Sequence, residues 1–315
     1  MQTKRPLVLI ILLLLILQSA YAITKNGFDL EGATIPPNEI KSGGPPRDGI
    51  PAINEPIFIP AKEARFVDSD DRVMGVVING RPRAYPIAIL NWHELVNDKI
   101  GNQHFTVSYC PLCGTGMVFA TNVENEALIF GVSGLLYNSD MLLYDRNTMS
   151  LWSQILGEAI SGPLVGTSLP QLSARHTSWE QWQSEHPETE VLSRDTGFRR
   201  DYGRSPYRGY EKSPRLFFEV ANNAPGTYQR KALVMGVSVD GTHKAYPFEE
   251  LTRNGQARFI DTVNGERLEI HWDEASQSAW AVSEAGSDYP TTTGFWFAWY
   301  AFFPETQVYT AGQDN

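Results

Sequence analysis

Only two of the 315 residues are cysteine, Cys110 and Cys113, and they stand three apart in Tyr109-Cys110-Pro111-Leu112-Cys113-Gly114-Thr115-Gly116. With no third thiol there is no disulfide framework. A bridge between these two would close almost no loop, and loop closure is where a structural disulfide gains most of its effect. The chain is also short of positive charge: 26 Lys and Arg against 36 Asp and Glu give a formal net charge of −10. That balance argues against nucleic acid and anionic membrane surfaces as partners. Long apolar runs are missing after the first residues. Residues 295–303 (FWFAWYAFF) are apolar but far short of the about 20 residues a membrane span needs, so they are expected as a buried strand or aromatic packing surface.

What the N-terminus does contain is the pattern of a cleavable secretory signal. Lys4 and Arg5 precede an unbroken apolar core at 7–17, and Ala20-Tyr21-Ala22 is an A-x-A cleavage site. The expectation is a periplasmic or secreted protein cleaved after Ala22, with no stable membrane insertion afterwards. No cysteine follows the apolar core, which excludes a lipoprotein anchor. In the rest of the chain, frequent aromatics with 26 Gly and 20 Pro favour a β-rich architecture with many turns.

The chain contains an internal match. Residues 73–90 (VMGVVINGRPRAYPIAIL) and 234–251 (VMGVSVDGTHKAYPFEEL) are identical at nine of eighteen positions, where about one is expected by chance. Each begins as an apolar strand and turns at Asn79-Gly80 or Asp240-Gly241, both favoured in type I′ hairpins. Each returns through Ala-Tyr-Pro, with Pro86 and Pro247 placed to start a short helix. With a two-residue shift the correspondence continues through alternating strands at 104–109 and 267–272. On that register Cys110 faces Asp273, Cys113 faces Ser276 and Met117 faces Trp280, while His93 faces Asn254 on the earlier register. The candidate ligands are therefore absent from the second segment.

These patterns predict a β-rich α+β fold: a duplicated β-hairpin–short helix–β-hairpin unit with a long central insertion. Residues 1–22 are the signal, 23–62 a Pro/Gly-rich arm, 63–130 the first unit, 131–228 the insertion and 229–315 the second unit with the aromatic segment. Residues 63–315 are expected to form one integrated domain. Within the insertion, strands are expected at 141–144 and 150–154, joined by a turn at 145–148. A helix is expected after Thr177 as N-cap, with Glu180 as capping-box partner and Pro187 as its stop. The Arg- and Tyr-rich run 199–210 reads as a surface loop pinned by internal ion pairs, or an anion site.

Three chemistries suit a C-x-x-C. Covalent haem attachment needs His after the second cysteine, and Gly114 stands there. A thioredoxin-type dithiol needs a helix start, but Gly114-Thr115-Gly116-Met117-Val118-Phe119 suits a strand. A metal-binding turn fits best, and Cys-Pro-Leu-Cys-Gly resembles one knuckle of rubredoxins and zinc ribbons. Those families supply four cysteines, so half the ligand shell must come from elsewhere. His93 is the first choice as third ligand and Met117 as fourth, with a solvent molecule as the alternative; Asp140 and Met141 are weaker candidates. Thiolates with histidine or thioether favour copper or zinc. The competing readings are a thiol–disulfide oxidoreductase, with Cys110 attacking and Cys113 resolving, and a non-catalytic binding module with the cysteines as a structural clip. The expected partner is accordingly a metal ion or a small-molecule or thiol substrate.

The runs AYPIAILNWHELVND, SYCPLCGTGMVF, FGVSGLLYNSDMLLYDR, SLWSQILGEAISGPLVGT and RDYGRSPYRGY together resemble the uncharacterised, exported bacterial family called domain of unknown function 3179 (DUF3179). The resemblance runs from about Asp68 to the C-terminal aromatic segment. It implies export and one integrated domain, and it marks Trp92-His93, Cys-Pro-Leu-Cys-Gly and Gly-Leu-Leu-Tyr-Asn-Ser-Asp as family motifs. It implies no activity. The family motif has a histidine where this chain has Phe302-Phe303-Pro304, so the resemblance supplies no ligand there.

Overall fold

Alternating apolar residues separated by turn dipeptides make a chain of hairpins. The computed structural model, which describes residues 23–123 and 126–313, has 41% strand against 11% helix in four short helices. This is the β-rich α+β class expected; the signal segment at 1–22 lies outside the described residues. Among the described residues no helix is long and apolar enough to cross a membrane.

The first hairpin is β1 (Arg72–Ile78) and β2 (Arg81–Pro86), turning on Asn79-Gly80. Both turn residues have positive φ, 52° and 71°, as a type I′ turn requires. Pro86 caps α1 (Ile87–His93), and β3 (Leu95–Ile100), β4 (Gln103–Cys110) and β5 (Thr115–Ala120) follow as a meander. A second meander comprises β6 (Phe130–Tyr137), β7 (Asp140–Asp145), β8 (Leu151–Ser153) and β9 (Glu158–Ser161). The expected strand pair around 141–144 and 150–154 is β7 and β8, with Asp145 accepting from the Thr148 N–H in the turn. Then β10 (Arg175–Ser178) pairs with β1, α2 (Trp179–Glu185) folds over that pair, and β11 (Glu190–Leu192) adds parallel to β2.

The C-terminal half has the elements β12 (Leu233–Val239), β13 (Thr242–Pro247), α3 (Phe248–Asn254), β14 (Arg258–Val263), β15 (Glu266–Asp273) and β16 (Ser278–Ser283). It closes with β17 (Thr292–Phe295), α4 (Trp296–Phe302) and β18 (Gln307–Val308). Here β17 pairs with β12 and β18 adds parallel to β13. Close packing of a tryptophan on a glycine recurs: a Cβ at Gly75 would meet the Trp182 ring at 2.3 Å, and one at Gly236 the Trp299 ring at 2.2 Å. Buried ion pairs also recur in both halves, Arg83–Asp98 and Lys244–Asp261, each at 2.7 Å. An eight-stranded sheet crosses the molecule in the order β18-β13-β12-β17-β5-β4-β3, with the short Gln171–Leu172 strand on β5.

Two expectations need correction. Of the 295–303 run only Phe295 is in a strand: Trp296–Phe302 form α4, which is buried almost all round as an aromatic packing surface and satisfies its own backbone hydrogen bonds as a helix. The cap of α2 is Ser178, whose Oγ accepts from the Gln181 N–H at 3.3 Å. Thr177 is held in the ladder opposite Val73, so the helix starts one residue later than its local signal.

Candidate metal centre

The β4–β5 hairpin presents the two cysteines. Cys110 ends β4 opposite Thr115, and the Cys113 N–H closes the turn on the Cys110 carbonyl at 3.2 Å. Gly114 follows with φ of +63°, and a Cβ there would press on the Phe295 ring at 3.1 Å. The chain thereby reverses directly after Cys113, and the Phe295 N–H holds the Cys113 carbonyl at 2.7 Å. Both thiols are free, buried and 3.9 Å apart. A disulfide needs about 2.0 Å. Two thiolates bound at about 2.3 Å to one tetrahedral ion stand about 3.8 Å apart, so the spacing matches a shared ion.

The third group comes from the neighbouring meander. Asn138 and Ser139 turn between β6 and β7 with φ of 50° and 68°, a type I′ turn without glycine. It delivers Asp140 to the cysteines, and the ligand atoms of Cys110, Cys113 and Asp140 all lie within 4.8 Å of one another. Asp140 is oriented from behind: Oδ1 accepts from Thr115 Oγ at 3.2 Å and Oδ2 from the Ile155 N–H at 3.2 Å. Gln154 extends the support, its Oε1 sharing that single Thr115 proton at 2.7 Å and its Nε2 donating to Ser108 Oγ at 2.9 Å. Such outer hydrogen bonds fix the direction of a ligating carboxylate.

The electrostatics are those of acids gathered without a counter-charge. Burial pushes the Cys110 thiol up and the Cys113 thiol well up, and the neighbouring acids add to it. Burial likewise raises Asp140 and Glu94 each to about 7. Their charged neighbours are chiefly one another, with no basic side chain among the leading influences. Beside them, Ser139 Oγ and Tyr210 Oη are buried and have no hydrogen-bond partner among the described residues.

His93 is not part of this cluster. Its Nδ1 lies 2.8 Å from the Pro51 carbonyl and its Nε2 2.7 Å from Tyr202 Oη. A carbonyl only accepts, so Nδ1 carries the proton and Nε2 accepts from the tyrosine. No lone pair remains for a metal, and burial lowers the imidazole's basicity further. The expected third ligand is therefore a tie between the N-terminal arm, α1 and the 199–210 loop, and Asp140 is the acid that lies beside the thiols. Met117 is buried in the same apolar cluster as the cysteines, on the face of β5 that carries Thr115.

Two residues that local sequence does not single out border the site. Glu94 caps the C-terminus of α1 in the left-handed conformation, φ +59°, where α3 ends on Gly255 at +66°. Tyr207 donates to Glu94 Oε1 at 3.1 Å. The signal was available in the internal match, where Glu94 aligns with Gly255. The 199–210 loop packs over the centre through Tyr207 and Tyr210 and holds His93 through Tyr202; among the described residues none of its arginines is in a salt bridge. The expected ion pairs are replaced by tyrosine hydrogen bonds because the loop covers a buried surface.

A buried two-thiol, one-carboxylate centre in a β-rich scaffold is the class these observations define. The chain belongs to the family described as Protein of unknown function (DUF3179), matched over residues 47–306. No curated protein matches the chain, and no solved structure does.

Proposed function

We propose that this is an exported protein that holds one transition-metal ion, zinc in preference to copper, on Cys110, Cys113 and Asp140. The observation that carries this reading is the convergence of three buried acidic donors within 4.8 Å. Burying acids together without positive charge is costly, and a divalent cation offsets that cost while matching the spacing of the sulfurs. Two thiolates with a carboxylate suit zinc; copper(I) would draw on the softer Met117 instead. Three protein ligands leave a fourth position for solvent or substrate, the arrangement of a zinc that acts as a Lewis acid.

The dithiol alternative is less well supported. An attacking thiol needs a lowered pKa and access, whereas both thiols are buried with their pKa values raised.

Elemental analysis of purified protein tests the proposal. The wild type is expected to carry about one zinc per chain, and Cys110→Ser and Asp140→Asn to lose most of it. Wild-type protein that stays metal-free after incubation with zinc and dialysis would sink the idea.

A further inference from the structure

A cavity of about 660 Å³ opens beside the metal centre. Ile50, Val132, Leu136, Leu216 and Phe218 give it apolar walls, and Leu112 and Met141, which pack in the same buried cluster as the two cysteines, also line it. The size and the mostly apolar lining are those of small-molecule sites, which run about 300–1,000 Å³. One acid interrupts the apolar wall. Glu94 is only 6% exposed and is among the residues that line this cavity. Its Oε1 takes the Tyr207 hydroxyl, and among the described residues no protein group bonds Oε2.

We propose that this cavity binds a compact, mostly apolar molecule with one hydroxyl or amine group, which hydrogen-bonds to Glu94 with its polar end beside Cys110, Cys113 and Asp140. Glu94 is built in at a cost. A side chain in the left-handed region is strained, and the same helix end in the C-terminal half uses glycine. The residue is held firmly by both backbone groups, its N–H on the Leu90 carbonyl at 2.7 Å and its carbonyl on the Tyr109 N–H at 2.8 Å. Strain of this kind persists where a side chain is needed in place, and the need here is an acceptor in an apolar pocket. Carboxylates and phosphates are disfavoured, because burying their charge against apolar walls beside Glu94 is costly. Arg215, the basic residue of the lining, is exposed to solvent.

The placement of the polar end beside a metal rests on the metal reading; the pocket itself does not. Fluorescence titration with 1-naphthol, naphthalene and 1-naphthoate separates the two. Metal-free wild type in chelator is expected to bind 1-naphthol at least tenfold more tightly than either comparator. Glu94→Gly, which adopts the backbone used at Gly255, should lose that preference, keep naphthalene binding and melt at a higher temperature. Val132→Trp should fill the pocket and abolish binding of all three. Adding zinc to wild type should change 1-naphthol affinity by threefold or more. No saturable 1-naphthol binding, or a preference retained in Glu94→Gly, overturns the pocket. An affinity indifferent to bound zinc overturns the adjacency alone, and failure to bind zinc at all leaves the metal-free result standing.

Discussion

Burial acts on single side chains here with opposite sign for acid and base. It raises Asp140 and Glu94, and it lowers His176 to about 3, helped by the nearby Arg72 charge. Neutral His176 keeps Nε2 on the Gly116 carbonyl at 3.4 Å. Its folded pKa lies below the unfolded value of about 6.5, so between those values the unfolded chain binds a proton that the folded chain does not. The stability this histidine supports is complete above pH 6.5 and falls as pH drops towards 3, by roughly 4 kcal/mol by linkage. Urea unfolding at several pH values should show this acid loss in wild type and a flatter dependence in His176→Gln. Parallel curves would refute it. At this scale the cysteines were legible because two lone thiols with a following glycine admit few roles. His93 was misleading, since nothing local reveals that Pro51 and Tyr202 occupy both ring nitrogens.

Elements obey their local signals until packing outbids them. The Asn79-Gly80 and Asp240-Gly241 turns form where the dipeptides place them, because positive φ is cheap for those residues. The α2 start and the whole of α4 depart, because ladder pairing and all-round burial outweigh weak propensities. Gly75 and Gly236 illustrate the second kind of constraint: each lies in a strand as a flat seat for an indole ring, and neither has positive φ. Ala substitution at either should cost about 1–3 kcal/mol, since a wide ring cannot move aside within a filled core. Equilibrium denaturation measures this, and a neutral Gly75→Ala would show that α2 can shift without penalty. The Asn138-Ser139 turn was missed for want of a glycine, although it is the turn that delivers Asp140.

Across the whole molecule the two halves are joined by one sheet and by several side chains, among them Arg72, Asn138, Ser173 and Arg175. β5 meets β17 at Gly116 and Thr293, where His176 and Met74 crowd the Gly116 backbone. Arg72 reaches from β1 to the β15–β16 turn, donating to the Ser276 carbonyl and, at 3.1 Å, to that of Gln277, and also to His176 at 2.8 Å. Arg72→Met should destabilise the protein by about 2–3 kcal/mol, because three charge-assisted bonds to backbone carbonyls are lost together. It should also separate the unfolding transitions seen by far-ultraviolet dichroism and tryptophan fluorescence. Transitions that stay coincident and unshifted would show that the sheet and the other bridging side chains couple the halves without Arg72.

The sequence by itself determined the β-rich class, the hairpin turns, the family and the cysteine pair, because each is written in neighbouring residues: alternation, turn dipeptides, contiguous motifs and a three-residue spacing. Only the tertiary structure decided what completes the centre. Asp140 lies 27 positions beyond Cys113, and Glu94 and Tyr207 meet across a separation of 113 positions. Such contacts follow from how hairpins stack and where a loop folds back, and burial, which sets the charge of every group in the site, exists only once they have done so.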